Sequence, residues 1–143
     1  MTTPFYSPSC TPGSGIQPRA DLGFGTVSDS YTVEATLLTA DVFHMVKVPA
    51  GATVLDVILD VSDLDATTGD ELTLSVGYTG ALEAFISQAT VGQAGGIVRL
   101  SVPGGSQKHF AAEDTIQVSA TAGAEEAQAT GTIKLTVLYT MDP

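Results

Sequence analysis

Few residues in this chain of 143 have side chains that could do chemistry. The histidines are His44 and His109, the cysteine is Cys10, and 16 carboxylates face 5 basic groups. His44 stands in the strand phase of Val42, Val46 and Val48, which predicts a half-buried strand residue. His109, between Lys108 and Phe110, reads as a surface or loop group. A zinc site needs several ligands at defined spacing, and neither imidazole stands in an HExxH or a Cys/His cluster. Cys10 sits among prolines with no histidine near it in sequence, the pattern of an incidental thiol. A single cysteine also cannot close an intrachain disulfide. No G-x-S-x-G elbow occurs, and Gly13-Ser14-Gly15 and Gly104-Gly105-Ser106 read as turns.

The acids need separate treatment. Asp56, Asp60, Asp63, Asp65, Asp70 and Glu71 form the densest group, and Ca²⁺ takes about six to eight oxygen ligands. The EF-hand order fails here. Counted from Asp63, the glycine falls one place late at Gly69, and Leu74 stands where the bidentate acid belongs. The group therefore reads as a solvated acidic loop that keeps a sheet soluble. Glycosidase chemistry needs two placed carboxylates, but 16 acids always supply a pair, so the pair carries no signal. A glycan surface wants stacking aromatics, and the chain has no tryptophan. No catalytic, cofactor-binding or metal-binding residue emerges, and the expectation is a protein that is not an enzyme.

Charge narrows the partners. The formal net charge is -11, and the bases Arg19, Lys47, Arg99, Lys108 and Lys134 are scattered. Nucleic-acid binding rests on clustered Lys and Arg that release counterions, so no nucleic-acid partner is expected. No run approaches the roughly 18 apolar residues that span a bilayer, and no membrane partner is expected. Residues 1–30 show no basic segment followed by an apolar one, so the reading is a soluble protein made in a reducing cytosol. Charged residues are only 15% of the chain, which excludes disorder of the whole.

The elements that would position any site are strands. Tyr31, Val33, Ala35 and Leu37 alternate with polar residues, and residues 42–48 give a second strand closed by Pro49-Ala50-Gly51-Ala52. In residues 53–61, Leu55, Val57, Leu59 and Val61 share one face, while Val54, Asp56, Ile58 and Asp60 share the other. Leu72, Leu74, Val76 and Tyr78 are in phase, as are Ile116, Val118 and Ala120, and Ile133, Leu135, Val137 and Tyr139. Residues 97–102 alternate and stop at Pro103-Gly104-Gly105. Leu82, Phe85, Ile86 and Ala89 have helical spacing, which predicts a short helix over 81–89. About eight strands with frequent turn signals predict an all-β fold: a single antiparallel β-sandwich, jelly-roll-like, with an extended N-terminal arm. The expected core is Leu55, Val57, Leu59, Leu72, Leu74, Val76, Ile116, Val118, Ile133, Leu135 and Val137.

Residues 1–30 differ in composition from residues 31–143. Pro4, Pro8, Pro12 and Pro18 are interleaved with Gly13, Gly15, Gly23 and Gly25, which disfavours both a helix and a central strand. Yet Phe5, Tyr6, Ile16, Leu22 and Phe24 are apolar or aromatic and irregularly spaced. Two readings stand: these residues pack on the body of their own subunit, or they form an arm that docks on a neighbour. The division expected is an arm over 1–30 and a sandwich over 31–143, with those five residues as the capsid or subunit contact of the resemblance below.

Val48-Pro49-Ala50-Gly51-Ala52-Thr53-Val54-Leu55-Asp56-Val57 resembles the strand–turn–strand of small tailed-phage head proteins. Leu74-Ser75-Val76-Gly77-Tyr78 with Ala84-Phe85-Ile86 is similar to a second segment of theirs. The same holds for Asp114-Thr115-Ile116-Gln117-Val118, Gly123-Ala124, Thr130-Gly131-Thr132-Ile133 and Val137-Leu138-Tyr139. The pattern spans roughly residues 45–140 and consists of turns and core positions. The resemblance implies a bacteriophage capsid decoration, or cement, protein: a homotrimer on the outer surface of the virion head that bridges and stabilises the major capsid protein. It would be made in the host cytoplasm. The alternatives are a tail or fibre-associated module of the virion, or a Ca²⁺- or glycan-binding sandwich.

Overall fold

The computed structural model describes residues 4–7, 24–33, 41–64, 72–122 and 131–141. In them the period-two segments become strands: β1 (Pro4–Tyr6), β2 (Phe24–Val33), β3 (Val42–Val48), β4 (Ala52–Val61) and β5 (Thr73–Tyr78). Then come β6 (Ala81–Ala89), a 3-10 turn (Val91–Gln93), β7 (Gly96–Arg99), β8 (Lys108–Phe110), β9 (Asp114–Ala122) and β10 (Gly131–Met141). One sheet has the order β1-β3-β9-β5-β6. The other has β2-β10-β4-β7, with β8 also on β4.

From β2 to β5 the chain changes sheet at every step. The β5–β6 hairpin stays in one sheet, β7 and β8 return to the other, and β9 and β10 split between them. That path is an eight-stranded jelly roll with its sixth strand broken into β7 and β8 and with β1 added at one edge. All described pairings are antiparallel except β1 on β3, which is parallel. The expected all-β sandwich is the observed fold.

The core lies between the sheets. Val57, Leu59 and Val61 of β4 meet Leu74 and Val76 of β5, Ile116, Val118 and Ala120 of β9, and Ile133, Leu135, Val137 and Tyr139 of β10, all buried. Leu72, just before β5, is buried with them. One expected core residue is not: Leu55 is only half-buried. Leu138 pairs with Asp56 while Tyr139 pairs with Val54, so Leu55 is the extra residue of a bulge. Inward positions on β4 therefore switch from Ala52 and Val54 to Val57, Leu59 and Val61.

The helix expected over 81–89 is a strand. Tyr78 pairs with Ala81, Val76 with Ile86 and Leu74 with Ala89, so β5 advances two residues (78−76) while β6 advances five (86−81), and then two (76−74) while β6 advances three (89−86). These irregularities space the inward residues Phe85 and Ile86 as a helix would, although the backbone is extended. Gly77 belongs to the same feature: a Cβ there would collide with the Ala81 carbonyl oxygen and the Leu82 backbone. At the turn between β3 and β4, Gly51 has φ 89°, a left-handed conformation that glycine adopts without strain.

Position 30 lies inside β2, whose register on β10 runs unbroken from Val33↔Gly131 to Phe24↔Thr140. Residues 24–30 are thus part of the second sheet, and Pro4–Tyr6 is part of the first. Pro4 did not prevent this because β1 is an edge strand, where a missing donor is tolerated. Residues 34–40 fall outside the described residues, as do Ala35 and Leu37 of the expected strand.

Candidate functional site

One of the expected contact residues, Phe5, packs at the edge formed by β1, β2 and β3. Phe5 on β1 is half-buried. Its ring stacks on Phe43 with centroids 4.9 Å apart and planes at 21°, and it meets Tyr31 edge-on at 5.9 Å. Tyr31 and Phe43 close the triangle at 5.2 Å. Such pairs add roughly 0.5–1.5 kcal/mol beyond area burial. Pro4, Phe5 and Tyr6 sit in register with Val42, Phe43 and His44. Ser7 completes the seat: its backbone N–H donates to the His44 carbonyl at 2.9 Å, and its hydroxyl donates to the Met45 carbonyl. Ser7 is fully buried, and sequence reading missed it because a serine among prolines carries no periodic signal.

Of the five expected contact residues, then, Phe5 packs on the body. Tyr6 belongs to β1 and Phe24 opens β2 opposite Thr140. Ile16 and Leu22 lie outside the described residues, as does Cys10.

The histidines are apart. His44 is half-buried on β3, with Nδ1 at 2.9 Å from the Thr115 hydroxyl. Burial pulls its pKa below the ordinary 6.5, against a smaller upward pull from Asp114. His109 is exposed on β8 opposite Thr53. Beside it, the Lys108 ammonium lies 4.7 Å from the centre of the Tyr78 ring, a cation–π contact.

Of the acidic group, Asp56, Asp60 and Asp63 are described. Asp56 takes the Arg99 Nε donor at 3.0 Å and accepts the Val57 backbone N–H at 2.8 Å. Asp60 is exposed beside Lys134 and Ile97 in register, and Asp63 is exposed after β4. Asp65, Asp70 and Glu71 lie outside the described residues. Among the described residues, no three His, Cys, Asp or Glu side chains could hold a metal together. No helix among them is long and apolar enough to cross a membrane.

The described strand ends fall into two groups. The strand ends Val33, Val42, Val61, Thr73, Ala122 and Gly131 lie at one end, shown by the registers within each sheet and by Leu64 meeting Gly92 and Gly131 there. Residues 34–40, 65–71 and 123–130 join these strand ends, and they carry Glu34, Asp65, Asp70, Glu71, Glu125 and Glu126 with no Lys or Arg. The opposite end holds the 49–51 turn, the 79–80 turn and the start of β2.

No protein-family model matches the chain, and no curated protein matches it. Solved structures do. A chain in the capsid of Ralstonia phage GP4 is 24% identical, with 99% of each chain covered and a TM-score of 0.86. A chain in the cyanophage Pam1 capsid asymmetric unit is 25% identical over 92% of this chain and 95% of that one, with a TM-score of 0.75. A chain in the acidic stable capsid structure of Helicobacter pylori bacteriophage KHP30 is 16% identical over 82% and 93%, with a TM-score of 0.55. This chain is therefore similar, from end to end and at nearly equal length, to chains found in phage capsid structures, and it shares their jelly-roll fold.

Proposed function

We propose that this protein is a structural component of a tailed-phage virion: a capsid decoration protein that binds the outer surface of the head and stabilises it. The carrying observation is the two-way match to chains in phage capsid structures, 99% of both chains in the first and 92% and 95% in the second. The match consumes the whole partner chain, so the relative is itself a small jelly roll and not one domain of a large shell subunit. The acidic charge suits an outer surface better than one facing packaged nucleic acid, where like charges repel.

In this reading the partners are the major capsid protein and further copies of the chain, arranged as a homotrimer, after synthesis in the host cytoplasm. Closed symmetry is the usual arrangement for such copies. The acidic end faces solvent, and the opposite end, where residues 8–23 join β2, faces the shell. Ile16 and Leu22, flanked by Tyr6 and Phe24, supply the apolar contact, each buried side chain being worth roughly 1.5–3 kcal/mol.

The test uses purified full-length protein and phage heads assembled without it. Saturable co-sedimentation, density on the head exterior by electron microscopy and a raised temperature of head rupture are the expected results. Folded protein that fails to bind heads at micromolar concentration overturns the proposal. Density found only on tails would assign the chain to the tail instead.

A further inference from the structure

The slot beside β3 holds a strand of three residues. β1 pairs with β3 and with no other described strand. Its contacts are nonetheless specific: Phe5 between Phe43 and Tyr31, and both donors of Ser7 on the His44 and Met45 carbonyls. We propose that copies of this chain exchange N-terminal strands, residues 4–7 of one copy seating on β3 of a second copy.

Three physical points carry the exchange. First, the contacts described for the seat join residues 4–7 on one side to β3 and Tyr31 on the other, so they are the same whichever copy supplies the strand. Second, the tether is longer than a seat in the same copy needs. Phe5 lies beside Tyr31, seven residues (31−24) along β2 from Phe24, or about 23 Å at roughly 3.3 Å per residue. Residues 8–23 are sixteen in number (23−8+1) and reach up to about 55 Å when extended, more than the roughly 35–40 Å width of a domain of this size. Third, a vacated slot would uncover Phe43 and leave β3 as an open edge ready to template another strand. Exchange is therefore reciprocal and closes on itself, each copy giving a strand and receiving one. A short tether holds its own strand at an effective concentration in the millimolar range, so the exchanged form belongs to assembled copies held that close.

The exchange does not depend on head binding, and its test is made without heads. In a Cys10→Ser background, one chain carries Tyr6→Cys and another His44→Cys, a directly paired position in the β1–β3 register. Neighbouring strands hold paired Cα atoms within disulfide range. The two chains are denatured, mixed in equal amounts, refolded at a concentration where light scattering shows an oligomer, and oxidised. A third chain carries both cysteines. Exchange predicts covalent dimers of unlike chains in the mixture, taking up about half of the chains by random pairing. It predicts covalently linked multimers for the double variant. A double variant that closes only within single chains overturns the proposal, as does a protein that stays monomeric at all concentrations. Failure of the disulfide to form in either sample overturns it too, because the pair would then not be adjacent.

Discussion

Phe5 and Phe43 stack at 4.9 Å although they are far apart in sequence and the first belongs to a Pro/Gly-rich stretch. This contact makes residues 4–7 part of the sandwich edge. Phe5→Ala should lower stability by about 1–3 kcal/mol, the range for a large apolar side chain that is partly buried and stacked. For a chain of this size that is a fall of several degrees in melting temperature. Urea unfolding checks it, and an unchanged midpoint would show that β1 is not held on the body in solution.

Gly77 sits under the first residues of β6, where a Cβ has no room beside the Ala81 carbonyl and the Leu82 backbone. Gly77→Ala should therefore cost at least about 2 kcal/mol, because backbone and not a flexible side chain must give way. Gly80, also at the β5–β6 turn, has open space around its Cα but φ 86°. Gly80→Ala should be milder, limited to the strain of a left-handed alanine, about 1 kcal/mol. Thermal melts of the two variants side by side test the order, and equal losses would refute the account of β6.

Arg99 and Asp56 form an ion pair whose arginine is 66% exposed. Exposed pairs are worth at most about 1 kcal/mol and are screened by salt. Arg99→Ala should thus change the urea midpoint little, and the small difference should vanish at high ionic strength. A large loss independent of salt would mean that the guanidinium is packing on the outer face of β4.

His44 makes stability depend on pH in a definite direction. Burial lowers its folded pKa below 6.5, with Asp114 opposing. The unfolded chain therefore takes up the proton first as pH falls through 6.5, and the His44 contribution is present above that value and lost on the way down. The net charge of -11 works the other way, since protonation relieves self-repulsion. The measurement is the difference between the protein and His44→Gln, by urea unfolding at pH 7.5 and pH 5.5. The native protein should lose stability relative to the variant at the lower pH. A difference that does not change with pH would remove His44 from the acid response.

Much of the fold was legible from local pattern. Leu72, Leu74 and Val76, then Ile116 and Val118, then Ile133, Leu135 and Val137 alternate in sequence and are all buried. A strand with one dry face must show that alternation, and turn residues bound it. Of the candidate contact residues, the sequence marked Phe5 as apolar where no solubilising tail needs it, but it left the partner of that ring open.

Tertiary structure alone decided the rest. Leu55 lost its core place to a bulge that exists only because β4 pairs with β10 one residue out of step. Residues 81–89 imitate a helix in spacing because β6 slips twice against β5, and slippage is a property of the pair. β1 is three residues long and draws its stability from Phe43, Tyr31 and the carbonyls of His44 and Met45, none of them near it in sequence. Period and composition are written along one strand, whereas register and edge pairing are free-energy differences between strands, fixed only when distant segments are brought side by side.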